Sequence, residues 1–220
     1  MSLTVSSGES DYEVVPAGQH QAVCYRLVDA GTREEQYKDN PPKKRHSVFI
    51  YWELPEVKMA DDRPFTISKK YTLTLNENGT LYKDLKTWRG KAFTAEELKG
   101  FDLLNILGKT AQLEVVHSDE GKARVDSVFK PDGGVKDQDT HNAKEAFDID
   151  IYAREFYAMD DETKAMCDIH ASFPEWMQNM IDESFEVLAG KKKGGNTPAA
   201  KPAGGLDEFK KEVSEDDIPF

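Results

Sequence analysis

Cysteine is nearly missing: the 220 residues hold two, Cys24 and Cys167, far apart in the chain. They give no disulfide framework, which suits a reducing cytoplasm. No apolar run approaches the ~18 residues that a membrane span needs. Met1 to Gly8 has neither a basic stretch nor an apolar core of the secretory kind, so the expected compartment is the cytoplasm. Catalytic signatures are missing too. The chain has no Gly-rich phosphate loop of the P-loop or dinucleotide type, no Gly-x-Ser-x-Gly elbow and no His-Glu-x-x-His helix. Cys167 and His170 are the one Cys/His pair at close ligand spacing, with His20 and Cys24 as conceivable additions. A zinc site needs about four good ligands, so no metal is expected. Carboxylates crowd residues 145–186 without forming a paired constellation. The expectation is a non-enzymatic protein without a cofactor; metal-dependent cleavage of DNA would revive a nuclease reading.

What is abundant is acid. The formal net charge is −12, from 29 Lys/Arg against 41 Asp/Glu, and it is unevenly spread. Residues 1–130 hold 19 Lys/Arg and 20 Asp/Glu, residues 131–190 hold 4 against 15, and residues 191–220 hold 6 against 6. The first 130 residues therefore have enough cations for a local basic groove, and local potential steers a polyanion more than net charge does.

The early chain reads as strands. Gly18 to Val28 alternates weakly, and a polar loop is expected over Gly31–Pro42. Lys43 to Leu54 is the strongest strand pattern, ended by Pro55, and Phe65 to Leu75 is a third strand before an Asn76–Gly79 turn. The period then changes to helical. Thr80 is placed to cap a helix carrying Leu81, Leu85 and Trp88 along one face, and Gly90 ends it. Thr94 and Glu97 fit a capping box, and Phe101–Gly108 adds a short apolar element. Two further strands, Lys109–His117 and Lys122–Phe129, turn at Asp119-Glu120-Gly121. Three strands, a helix and a hairpin make the order of the OB-fold, a five-stranded, partly open barrel whose face commonly binds single strands.

The expected fold is thus mainly β with α: an OB-fold barrel with a helical insertion over residues 1–135, an acidic helical extension over 136–190, and a flexible linker with an acidic tip over 191–220. Pro174 breaks the extension, and Phe173 to Ile181 begins a short amphipathic helix with Trp176, Met177, Met180 and Ile181 on one face. Lys191 to Gly205 is too poor in apolar residues to offset its ordering entropy.

Alternation divides the second strand into two faces, Val48, Ile50, Trp52 and Leu54 on one, Ser47, Phe49, Tyr51 and Glu53 on the other. One face fills the barrel. The other either presents Phe49 and Tyr51 to a ligand or lies beneath the acidic helices. Lys43, Lys44 and Arg45 flank these rings, and the third strand adds Lys69, Lys70 and Tyr71. Cations hold phosphates while rings stack on bases at about 1–3 kcal/mol each, so this mixture suits sequence-tolerant single-strand binding. Strict alternation puts Lys69 on the face of Ile67 and Tyr71, which requires either a bulge or an opening of that face. Trp88 reads as core, with Arg89 and Lys91 the better phosphate candidates beside it. Arg26 next to Tyr25, and Lys38 next to Tyr37, are weaker aromatic–cation pairs of the same kind.

The sequence closes on Ser214-Glu215-Asp216-Asp217-Ile218-Pro219-Phe220. Acid leading into Ile-Pro-Phe matches a basic pocket with an apolar floor, and Pro219 limits the entropy lost on docking. Asp216, Asp217, Ile218, Pro219 and Phe220 are accordingly read as a protein-interaction tip.

The tip resembles that of bacterial single-stranded DNA-binding proteins, which recruit replication and repair enzymes. The stretches Val14–Gly18, Trp52–Pro55, Ile67–Leu73, Trp88–Phe93, Gly100–Leu103 and Phe173–Trp176 resemble bacteriophage-type single-stranded DNA-binding proteins. The resemblance covers roughly residues 14–130 and, more loosely, 170–181. It implies an OB-fold, single-strand binding without base preference, and a role in phage DNA replication, recombination or repair in a bacterial cytoplasm. It supplies no contact map, so the contact residues above come from the strand patterns alone. The rival expectation is an acidic DNA mimic or adaptor that binds a host DNA-processing enzyme and never touches DNA.

Overall fold

The computed structural model describes residues 13–36 and 40–194. Within them six strands form one mixed-class fold with helices inserted and appended: β1 Gly18–Glu35, β2 Lys43–Lys58, β3 Pro64–Thr72, β4 Thr110–His117, β5 Ala123–Phe129 and β6 Glu145–Phe147. The sheet order is β3-β2-β1-β4-β5, with β6 joined to β1. All pairs are antiparallel except β6, which runs parallel to Arg26–Val28.

β1 organises the sheet because it serves two partners. Its first part pairs β4 over Gly18–Val23, and the remainder pairs β2. Register shifts between Cys24 and Arg26 and between Asp29 and Thr32 bend it, as bulges do. Gly31 sits in the second bulge at φ 70°, so the strand continues to Glu35 where a loop was expected from Gly31. β2 likewise runs past Pro55 to Lys58. Its ladder with β3 is irregular between Leu54 and Lys58, where the missing Pro55 N–H breaks no regular pair. β3 stops at Thr72, short of Leu75.

Between β3 and β4 lie α1 (Thr80–Arg89), α2 (Ala95–Lys99) and a 3-10 turn (Leu103–Ile106). Gly79, not Thr80, is the N-cap of α1, and Gly90 ends the helix at φ 69°. The Thr94–Glu97 capping box forms as read. β3 and β5 share no ladder, so the sheet is not closed. The seam is bridged instead by Lys69 Nζ, which donates to Asp126 O at 2.7 Å, and by α1, whose Thr87 hydroxyl donates to Val128 O at 2.6 Å.

Two apolar cores share the sheet. The first holds Val48, Ile50, Trp52 and Leu54 of β2 with Leu81, Leu85 and Trp88 of α1. Trp52 and Trp88 meet at 6.0 Å between ring centres, and Trp88 Nε1 donates to Thr110 O at 2.5 Å. Each such ring removes on the order of 200 Å² from water. The second core lies on the other face and uses Val28, Ala30 and Phe49. It is covered by α3 (Ile149–Tyr152), α4 (Asp161–Ala171), α5 (Glu175–Asp182) and α6 (Phe185–Gly194). These helices form a cap, and Gly31 marks its closest approach: a Cβ there would lie 2.4 Å from Ile149 Cδ1. Among the described residues, no helix is long and apolar enough to cross a membrane.

Candidate nucleic-acid interface

The outer face of β2 is set by its alternation, and the ladder with β3 fixes its neighbours. Ser47, Phe49, Tyr51 and Glu53 stand opposite Thr72, Lys70, Ser68 and Thr66, and directly opposed residues share a face. Lys43 and Arg45 continue that face toward the end of the β1–β2 ribbon. On β1, Val28 pairs Phe49 and Arg26 pairs Tyr51.

The cap divides this face. Phe49 is 7% exposed, and its ring leans on Trp176 at 5.8 Å between centres. The expectation of an outward, ligand-facing Phe49 is therefore corrected: α5 covers it, because the amphipathic helix needs an apolar floor and Phe49 with Val28 supplies one. Tyr51 is half-buried, and its hydroxyl donates to Met177 Sδ at 3.5 Å. Burial, then the neighbouring Tyr25, pushes the Tyr51 phenol up to about 12, so it stays a neutral donor. Thr66, Lys70 and Thr72 remain exposed beside it.

The predicted cations meet different fates. Arg45 and Lys44 are exposed and Lys43 half-buried on the ribbon. Lys44 Nζ lies 4.7 Å from the centre of the Phe185 ring of α6. Lys70 donates to Glu35 Oε1 at 2.5 Å, a pair open enough to water to exchange for a phosphate. Arg26 pairs with Glu145 of β6 and lies within 6 Å of the rings of Tyr25, Tyr51 and Phe173, so it serves the joint between sheet and cap. Lys69 keeps strict alternation without a bulge. Its ammonium sits at the open β3–β5 seam, 2.7 Å from Asp84 Oδ2. Tyr71, expected at the groove, is 3% exposed in the first core, its hydroxyl donating to Asp84 at 2.8 Å. Burial and the Asp84 charge raise that phenol well above its ordinary value. Arg89 and Lys91 lie elsewhere, beside a cleft between α1, α2 and the 3-10 turn. Arg89 pairs with Glu97 and lies over Phe93 and Phe101, while Lys91 is exposed. Tyr37, Lys38 and the Asp216–Phe220 segment lie outside the described residues.

Two contributors escaped the sequence reading. Trp176 is 52% exposed at the rim of the face, an accessible ring where Phe49 offers none. Its place on the amphipathic helix was legible, but its seat against β2 was not. Glu53 is buried at 1% exposure and accepts from His141 N, Asn142 N and Asn142 Nδ2, which ties the loop before β6 to the sheet. The four conceivable zinc ligands are not brought together. Cys24 is in the first core, His20 contacts Pro16 O, Cys167 donates to Glu155, and His170 stacks on Tyr152. Among the described residues no group of three or more His, Cys, Asp or Glu is placed to hold a metal.

The outer β2–β3 face thus carries Lys43, Arg45 and Lys70 along the same side of the sheet as the half-buried Tyr51, with Trp176 at the rim. Cations flanking accessible rings can hold a phosphate chain and stack its bases. Comparison with protein-family models and with curated proteins returns no match.

Proposed function

We propose that this chain is a non-enzymatic single-stranded DNA-binding protein of the OB-fold kind, acting in phage DNA replication, recombination or repair. The fold assignment draws on the order β3-β2-β1-β4-β5 and on the helix at the β3–β5 seam. The observation that carries the function is that Lys43, Arg45 and Lys70 lie on one side of the sheet with Tyr51 and the half-exposed Trp176. In this reading the phosphates run along the cations, bases stack on the two rings, and the Asp216–Phe220 segment recruits partner enzymes.

The test is fluorescence quenching by oligo(dT) at low salt. Trp52 and Trp88 are buried, so Trp176 reports the face. Affinity should fall by about 0.7 log unit per log unit of salt for each phosphate held. Trp176→Ala should weaken binding by about 1–3 kcal/mol, one stacked base. Salt-insensitive binding, or none, would sink the proposal. The acidic-adaptor reading draws on the exposed carboxylates Asp161, Glu162, Asp168 and Glu175 of α4 and α5. It expects no quenching at any salt concentration.

A further inference from the structure

The distal part of the β1–β2 ribbon sets two arginines face to face. Arg33 of β1 is the ladder partner of Arg45 of β2. Side chains opposed in this way stand on one face, with Cβ atoms about 4.5–5.5 Å apart. The bulge at Gly31 brings this about. Continued without a shift, the pairing of Asp29 with Val48 would set Arg33 opposite Lys44, on the other face. Like charges directly opposed destabilise a strand pair. Lys43, opposite Glu35, and Lys70, opposite Phe49, extend the same face. The carboxylates among these cations are Glu35, which pairs with Lys70, and Glu183, the C-cap of α5, which reaches Arg33 at 3.0 Å. Both members of the Arg33–Glu183 pair are open to water. Arg45 is exposed and makes no ion pair among the described residues.

We propose that Arg33 and Arg45 form a two-armed clamp for one backbone phosphate of single-stranded DNA, with Glu183 of the cap holding the place of that phosphate on Arg33. The clamp rests on the strand-binding reading of the outer β2–β3 face and adds Arg33, which lies in a segment expected as loop. A guanidinium keeps its charge at any working pH and offers paired N–H donors that match phosphate oxygens. Two of them across one ladder position take the anion from two sides, so the repulsion that weakens the empty ribbon becomes attraction once a phosphate lies between them. The incoming phosphate displaces Glu183 from Arg33. An ion pair this exposed adds little stability, so the exchange is easy. Because Glu183 belongs to α5, the exchange also links strand binding to the contact between cap and ribbon.

The experiment follows fluorescein-labelled oligo(dT) by anisotropy with the full chain at about 0.1 M salt, and takes urea midpoints without DNA. Arg33→Gln and Arg45→Gln should each weaken binding about fivefold. Together they should weaken it about tenfold, short of the ~25-fold product, because both arms serve one phosphate. The double variant should also lower the salt slope by about 0.7. Glu183→Gln should tighten binding about threefold, and that gain should vanish in the Arg33→Gln background. Arg45→Gln should leave the urea midpoint unchanged or raise it, since it removes a repulsion. The control is Lys122→Gln, in the β4–β5 turn at the opposite end of β1, which should change binding by less than about twofold. Unaltered affinity in Arg33→Gln would overturn the clamp and leave strand binding standing. An equal loss in Lys122→Gln would also overturn it, by reducing the effect to overall charge. So would a lowered urea midpoint for Arg45→Gln, which would make that residue structural. Failure of the unaltered chain to bind oligo(dT) would overturn the clamp and the proposed function together.

Discussion

Single side chains and one glycine decide how sheet and cap fit. Gly31 holds φ 70° in the second bulge of β1, and an added Cβ would meet Ile149 Cδ1 at 2.4 Å, with Ser184 Cβ and Glu186 Oε2 at 2.8 Å. Gly31→Ala therefore suffers both a left-handed backbone and a clash with three separate cap residues. It is expected to cost about 2–4 kcal/mol, read as a lower urea midpoint at unchanged slope. Nothing in the sequence around Gly31 announces this, because the partners lie more than a hundred residues away. Phe49 illustrates the same limit. Alternation placed it on the outer face correctly, but whether that face meets water or a helix depends on the register of a distant segment. Where the constraint is local, the sequence is readable: the Thr94–Glu97 box and the Asn76–Gly79 turn are set by neighbouring residues alone.

Among elements, the joint between α6 and the β1–β2 ribbon is built from ionisable groups. Glu186 of α6 accepts from Thr32 N at 2.8 Å and from the Thr32 hydroxyl at 2.7 Å, and His46 of β2 contacts Asp29 at 2.5 Å. Asp150 of α3 sits near this group. Burial first, then the charges of Asp148, Asp29 and Glu186, push its carboxyl up from 3.8 to about 6, while His46 pulls the other way. Burial lowers His46, but its bond to Asp29 and the charges of Asp29, Glu186 and Asp150 outweigh that and leave it raised. The signs agree. Asp150 binds its proton more tightly folded than unfolded, so stability falls as pH rises from about 4 to 6. His46 contributes fully below its unfolded value of 6.5, and that contribution is lost as pH rises through its higher folded value. Asp150→Asn should thus stabilise the protein at pH 7 by about 1 kcal/mol, a figure already reduced for the water that reaches the group. It should have little effect at pH 4. Urea midpoints of both proteins from pH 4 to 8 check this, and a constant difference across that range would refute it. β2 at this joint was legible from β-branched and aromatic alternation, whereas β1 around Thr32 was expected as a polar loop, and β6 had no signal: three residues carry no period, and its pairing with Arg26–Val28 is a tertiary choice.

The whole molecule hangs on β1 and β2, whose two faces feed the two cores. A sheet that loses the cap exposes Val28, Ala30 and Phe49, and a cap that loses the sheet has no floor for Met177 and Ile181. Neither core is expected to melt alone, and the two cysteines sit where this can be measured. Cys24 is fully buried in the first core, and burial drives its thiol far above the ordinary value. Cys167 packs against the second core, half-buried, and burial followed by its bond to Glu155 pushes it up to about 12. Alkylation requires the thiolate, so both react slowly in the folded protein, and opening of either core returns its thiol to near 8.5. Brief alkylation pulses along a urea series, resolved by peptide mass, should show both thiols becoming reactive at one midpoint, which far-UV dichroism shares. Reaction of Cys167 at clearly lower urea than Cys24 would mean that the cap opens first. In that case oligo(dT), whose proposed site includes Trp176 of the closed cap, should shift the Cys167 midpoint upward toward that of Cys24.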